Sequence, residues 1–85
     1  MNILNIAKEQ HKAVIELDCD ELVTLCNALY HDVQRETDDP NIYNVYAKLI
    51  VPKDLATYGK IPSFSMEAIN EYMAKAKELR NNDKG

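Results

Sequence analysis

Eighty-five residues, 46% apolar and 28% charged, suffice for one modest core and not for two, and they lie outside the low-hydropathy, high-charge range of disordered chains. The formal net charge of −4 argues against a surface built to hold nucleic-acid phosphates directly. With Gly59 and Gly85 as the only glycines, no glycine-rich phosphate cradle can be assembled, which sets aside the common nucleotide-binding enzymes.

In chain order, the β-prone runs at 3–6 and 13–17, separated by the polar stretch Lys8 to Lys12, predict a hairpin over about 3–17. A two-stranded hairpin is marginal alone in water, so its apolar side, with Ile3, Val14 and Leu17, is expected to lie on a helix. Asp18 followed by Glu21 has the spacing of a capping box, and Asp20 suits the positive end of the helix dipole. The first helix is therefore expected over about 19–35, burying Cys19, Leu22, Cys26, Leu29 and Val33 at spacings of three and four. The two cysteines sit about 10 Å apart along that helix, too far for a disulfide, and read as small buried hydrophobes.

Thr37-Asp38-Asp39-Pro40 reads as a stop and restart, with Asp38 or Asp39 as cap and Pro40 in the first turn of a second helix. That helix is expected over about 40–51, buried through Ile42, Val45, Tyr46, Leu49 and Ile50, until Pro52 discourages continuation. The short connection predicts antiparallel packing on the first helix. Residues 53–58 suit one more turn closed by Gly59. A third helix is expected over about 65–80, capped by Ser65, with Phe64 stapled to Ile69 and a stripe of Met66, Ile69, Tyr72 or Met73, Ala76 and Leu79. The expected fold is α+β, an N-terminal β-hairpin packed on a three-helix core in a single domain spanning 1–85.

The motifs of catalysis are missing. Ser63 and Ser65 occupy no nucleophile elbow, His11 and His31 have no paired nucleophile, and the spacings of a zinc finger are absent. A non-enzymatic protein is expected. The start MNILNIAKEQ has neither a basic leader nor a long apolar run, and no stretch reaches the ~18–20 apolar residues of a membrane span. A cytoplasmic protein is the expectation.

Charge is concentrated. Glu16, Asp18, Asp20, Glu21, Asp32, Glu36, Asp38 and Asp39 face the single Arg35 within residues 16–39. Acids at the helix start stabilise its positive pole by roughly 0.3–1 kcal/mol each. Those at the other end have no such account, because Asp32 and Glu36 would form a like-charge i,i+4 pair beside the negative pole. Two readings follow. In the first, Asp32, Glu36, Asp38 and Asp39, with Tyr43 as aromatic anchor, dock on the basic surface of a nucleic-acid-binding protein and compete there with phosphate. In the second, His31, Asp32 and Glu36 hold a divalent metal of zinc type, although no cofactor is required by the first reading. A helical DNA-binding or transcription accessory domain is a further alternative, without the clustered arginines that a groove-reading helix presents.

In size, acidity and lack of an active-site motif, the chain resembles the small anti-defence proteins of phages and mobile elements, anti-CRISPR inhibitors among them. The resemblance is one of type and assigns no residue. It implies an inhibitor or regulator with a protein partner. From charge and hydropathy, no direct contact to nucleic acid or membrane is expected, and the assembly is expected to be a monomer or homodimer.

Overall fold

In the computed structural model, which describes residues 1–83, a two-stranded antiparallel hairpin precedes three helices. Strand β1 (Asn2–Ala7) and strand β2 (Lys12–Glu16) are joined by a 3-10 turn, Lys8–Gln10. His11 closes that turn at φ 56° and donates its backbone N–H to the Lys8 carbonyl at 3.1 Å. The strand register pairs Ile3 with Ile15 and Ile6 with Ala13, and β1 shifts between Ile3 and Asn5, where Leu4 is the extra residue.

Helix α1 (Cys19–Gln34) starts at the expected capping box. The Glu21 backbone N–H donates to Asp18 Oδ1 at 2.8 Å, and the Asp18 N–H donates to Glu21 Oε1 at 3.0 Å. Leu22, Cys26 and Val33 are buried and Cys19 and Leu29 half-buried, so the period-3.6 stripe is as the sequence predicts. Burying a side chain such as Leu22 stabilises the fold by about 1.5–3 kcal/mol. Both cysteines are free thiols.

Helix α2 (Pro40–Tyr58) is longer than expected. It carries Pro52 within it, despite a lost hydrogen bond to the carbonyl four residues back and a penalty of about 3 kcal/mol. Tyr43, Ala47 and Ile50 are buried before the proline, and Thr57 beyond it meets Cys19 of α1 at 3.4 Å, so tertiary packing outweighs the local break. Gly59 ends the helix at φ 71°, its N–H donating to the Leu55 carbonyl. The expected face of α2 is also corrected: Val45 is exposed and Tyr43 and Ala47 are in the core. The reason is position, since α2 packs against both α1 and α3 and buries a wider arc than a helix with one neighbour.

Helix α3 (Ser63–Asp83) begins two residues before the expected cap. The Pro62 carbonyl accepts from the backbone N–H of Ser65 and Met66, leaving Ser65 inside the helix and 4% exposed. Ser65, Ile69, Tyr72, Ala76 and Leu79 form the inward stripe, whereas Met66, Met73 and the supposed staple residue Phe64 are exposed.

Cys19 Sγ lies 3.4 Å from Thr57 Oγ1, and Arg80 Nη2 donates to Asn41 Oδ1 at 3.2 Å. The start of α1 therefore meets the end of α2, and the end of α3 meets the start of α2, so both contacts are antiparallel. The hairpin is tied at its base, where Leu17 is half-buried and the Met1 amine sits 2.7 Å from Glu21 Oε1. Its strand faces stay open: Ile3 and Val14, expected against a helix, are 67% and 53% exposed. The molecule is flat, with extents of 40 × 37 × 19 Å.

Candidate functional site

The end of α1 is built by backbone geometry that disfavours its own side chain. The Glu36 N–H donates to the Val33 carbonyl and the Thr37 N–H to the Asp32 carbonyl at 3.1 and 3.2 Å, the two bonds of a Schellman stop. Such a stop needs a left-handed residue, normally glycine, and here Glu36 takes φ 56° at a cost of about 1–2 kcal/mol. The helix ends at Gln34, so Asp32 and Glu36 are not stacked as an i,i+4 pair; the left-handed turn carries Glu36 off the helical spiral.

That turn opens onto a surface hollow of about 810 Å³ between the end of α1 and the outer part of α3, with Tyr43 of α2 beneath. Glu36 and Asp38 line one side and Glu71, Lys75 and Glu78 the other, with Tyr30, Val33, Tyr72 and Leu79 between them. Four carboxylates thus face one ammonium. All four are exposed, and the two ion pairs described, Met1 with Glu21 and Lys53 with Asp54, lie elsewhere.

The floor is aromatic. Tyr30 stacks on Tyr46 with centroids 5.8 Å apart, Tyr43 on Tyr72 at 6.1 Å, and Tyr46 meets Tyr72 edge-on at 5.4 Å, so the rings join all three helices. Burial pushes the Tyr72 phenol up, with the Glu71 carboxylate adding to the effect. Burial, then Tyr72, pushes Tyr46 up to about 12. Both rings remain neutral donors over the working range of proteins. The result is a shallow groove edged by carboxylates over Tyr30, Tyr43 and Tyr72, with Tyr46 packed against Tyr30 and Tyr72 and not part of the lining.

Of the residues expected to bind a partner, Glu36 and Asp38 line this groove and Asp32 does not. Asp39 caps α2, its Oδ1 accepting the Asn41 N–H at 2.9 Å. Tyr43 is 4% exposed in a core cluster with Val33 and Ala76, which corrects its role from projecting anchor to floor; Tyr30, 40% exposed, is the accessible ring. His31 is exposed on the polar side of α1, and His31, Asp32 and Glu36 do not converge. Among the described residues, no three His, Cys, Asp or Glu side chains come together to hold a metal ion.

Sequence reading missed Glu71 and Glu78. Their signal was present: with Lys75 they recur at i, i+4 and i+7 beside the half-buried Tyr72 and Leu79, which marks one helix edge. It also missed Asp54, 1% exposed, whose Oδ1 lies 3.2 Å from Lys53 Nζ and whose Oδ2 has no hydrogen-bond partner among the described residues. Asp54 belongs to the opposite end of α2. Nearby Cys26 is pushed up by burial, an effect that Lys53 opposes, so this buried thiol is held in its unreactive form.

Among the described residues, no helix is long and apolar enough to cross a membrane. No protein-family model, curated protein or solved structure matches the chain.

Proposed function

We propose that the chain is a cytoplasmic, non-enzymatic inhibitor or regulator whose acidic groove takes an arginine- or lysine-rich segment of a nucleic-acid-binding protein, in place of the phosphates that segment would otherwise hold. The observation that carries this reading is the convergence of Glu36 and Asp38 with Glu71 and Glu78 around tyrosine rings. A guanidinium suits such a site twice over, since its planar fork pairs with carboxylates and its face stacks on tyrosine. The strain at Glu36 supports the same reading: a position where glycine would fit better holds a carboxylate that a bound cation would reward. Steering by the summed negative field would speed encounter at low salt.

The test is a titration with a short arginine-rich peptide, followed by two-dimensional NMR and calorimetry at low and high salt. Shifts are expected to concentrate at Tyr30, Glu36, Asp38, Glu71 and Glu78. Reversing Glu36 and Glu78 together to lysine should weaken binding by at least about tenfold, as removing two charge-assisted contacts implies, and should flatten the salt dependence. Equal affinity in the reversed variant, or shifts spread evenly over every acid of the chain, would sink the proposal.

A further inference from the structure

The hairpin leaves open an interaction that the groove does not involve. In the register observed, residues directly opposite each other share a face, so Ile3, Ile6, Ala13 and Ile15 lie on one side of the ribbon. Asn2, Asn5, Ala7, Lys12, Val14 and Glu16 lie on the other. Ile3, Ile6 and Ile15 are 67%, 64% and 48% exposed. A ribbon of two short strands gains stability from a further strand or a covering helix, and the described contacts supply neither along these faces.

The two edges of the ribbon differ. Edge β1 is interrupted by the extra residue Leu4, and a bulge of this kind blunts a strand against further pairing. Edge β2 is regular from Lys12 to Glu16, and its sequence Lys-Ala-Val-Ile-Glu is complementary to itself. When two copies of β2 run antiparallel about a two-fold axis through Val14, Val14 faces Val14 and Ala13 faces Ile15. Each Lys12 then faces Glu16 of the second copy, on the same side as Val14. A parallel arrangement would instead set lysine against lysine and glutamate against glutamate, which disfavours it.

The surface area agrees. The chain exposes 6416 Å², roughly a quarter more than the ~5,100 Å² of a typical folded chain of 9.7 kDa. Its radius of gyration is 14.2 Å, against about 12 Å for a compact chain of this length. The surplus, on the order of 1,300 Å², exceeds the ~800 Å² that each partner contributes to a standard interface.

The geometry points to a homodimer in which the β2 edges of two chains join into one four-stranded sheet of order β1-β2-β2-β1. The interface is isologous, because one self-complementary edge serves both copies.

Sedimentation velocity of the full chain across a concentration series tests this. Wild type is expected to dimerise. Lys12→Glu and Glu16→Lys each replace two attractive pairs by repulsive ones and should weaken the dimer roughly tenfold, while the double swap, which recreates both pairs in reverse, should restore it to within about threefold. Far-ultraviolet circular dichroism separates loss of pairing from loss of fold, and the double swap decides the matter even where a single variant is less stable. A wild-type chain that stays monomeric at all concentrations overturns the inference. So does a dimer indifferent to the single reversals, which would place the contact on another surface.

Discussion

The two ends of α1 carry similar charge and treat it in opposite ways. At the start, Asp18 and Glu21 are each bound to the other's backbone N–H, at the pole of the helix where a carboxylate is favoured. At the end, Asp39 alone is engaged as a cap. Glu36 stands beside the unfavourable pole, in a left-handed conformation suited to glycine. Acids that answer to local backbone chemistry call for no ligand. An acid held against two local preferences, in a groove with three more carboxylates, is the residue on which the proposed cation site rests.

That contrast can be broken by exchanging what each end gives up. The largest effect belongs to the start: Asp18→Ala removes the side-chain bond that Asp18 Oδ1 accepts from the Glu21 N–H, while the residue-18 N–H still donates to Glu21, and should lower unfolding free energy by about 1–2 kcal/mol, read from urea denaturation, with the arginine-rich peptide bound as before. Glu36→Gly should do the reverse. It relieves the strained turn and raises stability by about 1 kcal/mol, while the loss of a groove carboxylate weakens peptide binding. If Glu36→Gly is neutral or destabilising, the left-handed turn is not the source of strain. If it stabilises without weakening the peptide, Glu36 has no part in the groove.

Both ends of α1 were legible in the sequence to within a residue, but the groove beside its far end was not, for a physical reason. A capping box is written in four consecutive residues, and the stripe of Leu22, Cys26 and Val33 in one helix, so local spacing reveals both. The groove is assembled from Glu36 and Asp38 on one side and Glu71 and Glu78 on the other, and nothing in local spacing states which edges meet. The same limit explains Tyr43: as the residue of a helix with one neighbour it reads as an edge, but α2 has two neighbours. Pro52 and Ser65 mark another limit, where local rules for breaking and capping a helix gave way to tertiary packing: Ile50 in the core, Thr57 against Cys19, and Ser65 inside a helix that starts at Ser63. The hairpin was read correctly as a hairpin. Its covering was not, because an apolar face announces that something must cover it without saying whether a helix or a second chain does so.

A further test separates the two ends by pH. Glu21 is held below the usual carboxylate range by its hydrogen bond to the Met1 amine and then by the Asp18 backbone N–H, so its contribution is present above the unfolded value and fades as pH falls through the folded one. Tyr46 works from the other side. Burial raises it to about 12 from an ordinary 10.0; the folded state therefore keeps a proton that the unfolded chain has released, and stability is full below pH 10 and declines as pH rises toward 12. Tyr46→Phe should remove part of that alkaline decline, leaving the share of Tyr72, which burial also raises, and should leave the acid limb untouched. Thermal melts across pH, with tyrosinate absorbance recorded alongside, check both limbs. An alkaline limb identical in wild type and Tyr46→Phe would mean that the tyrosine cluster joining the three helices is wetter around Tyr46 than its packing against Tyr30 and Tyr72 implies.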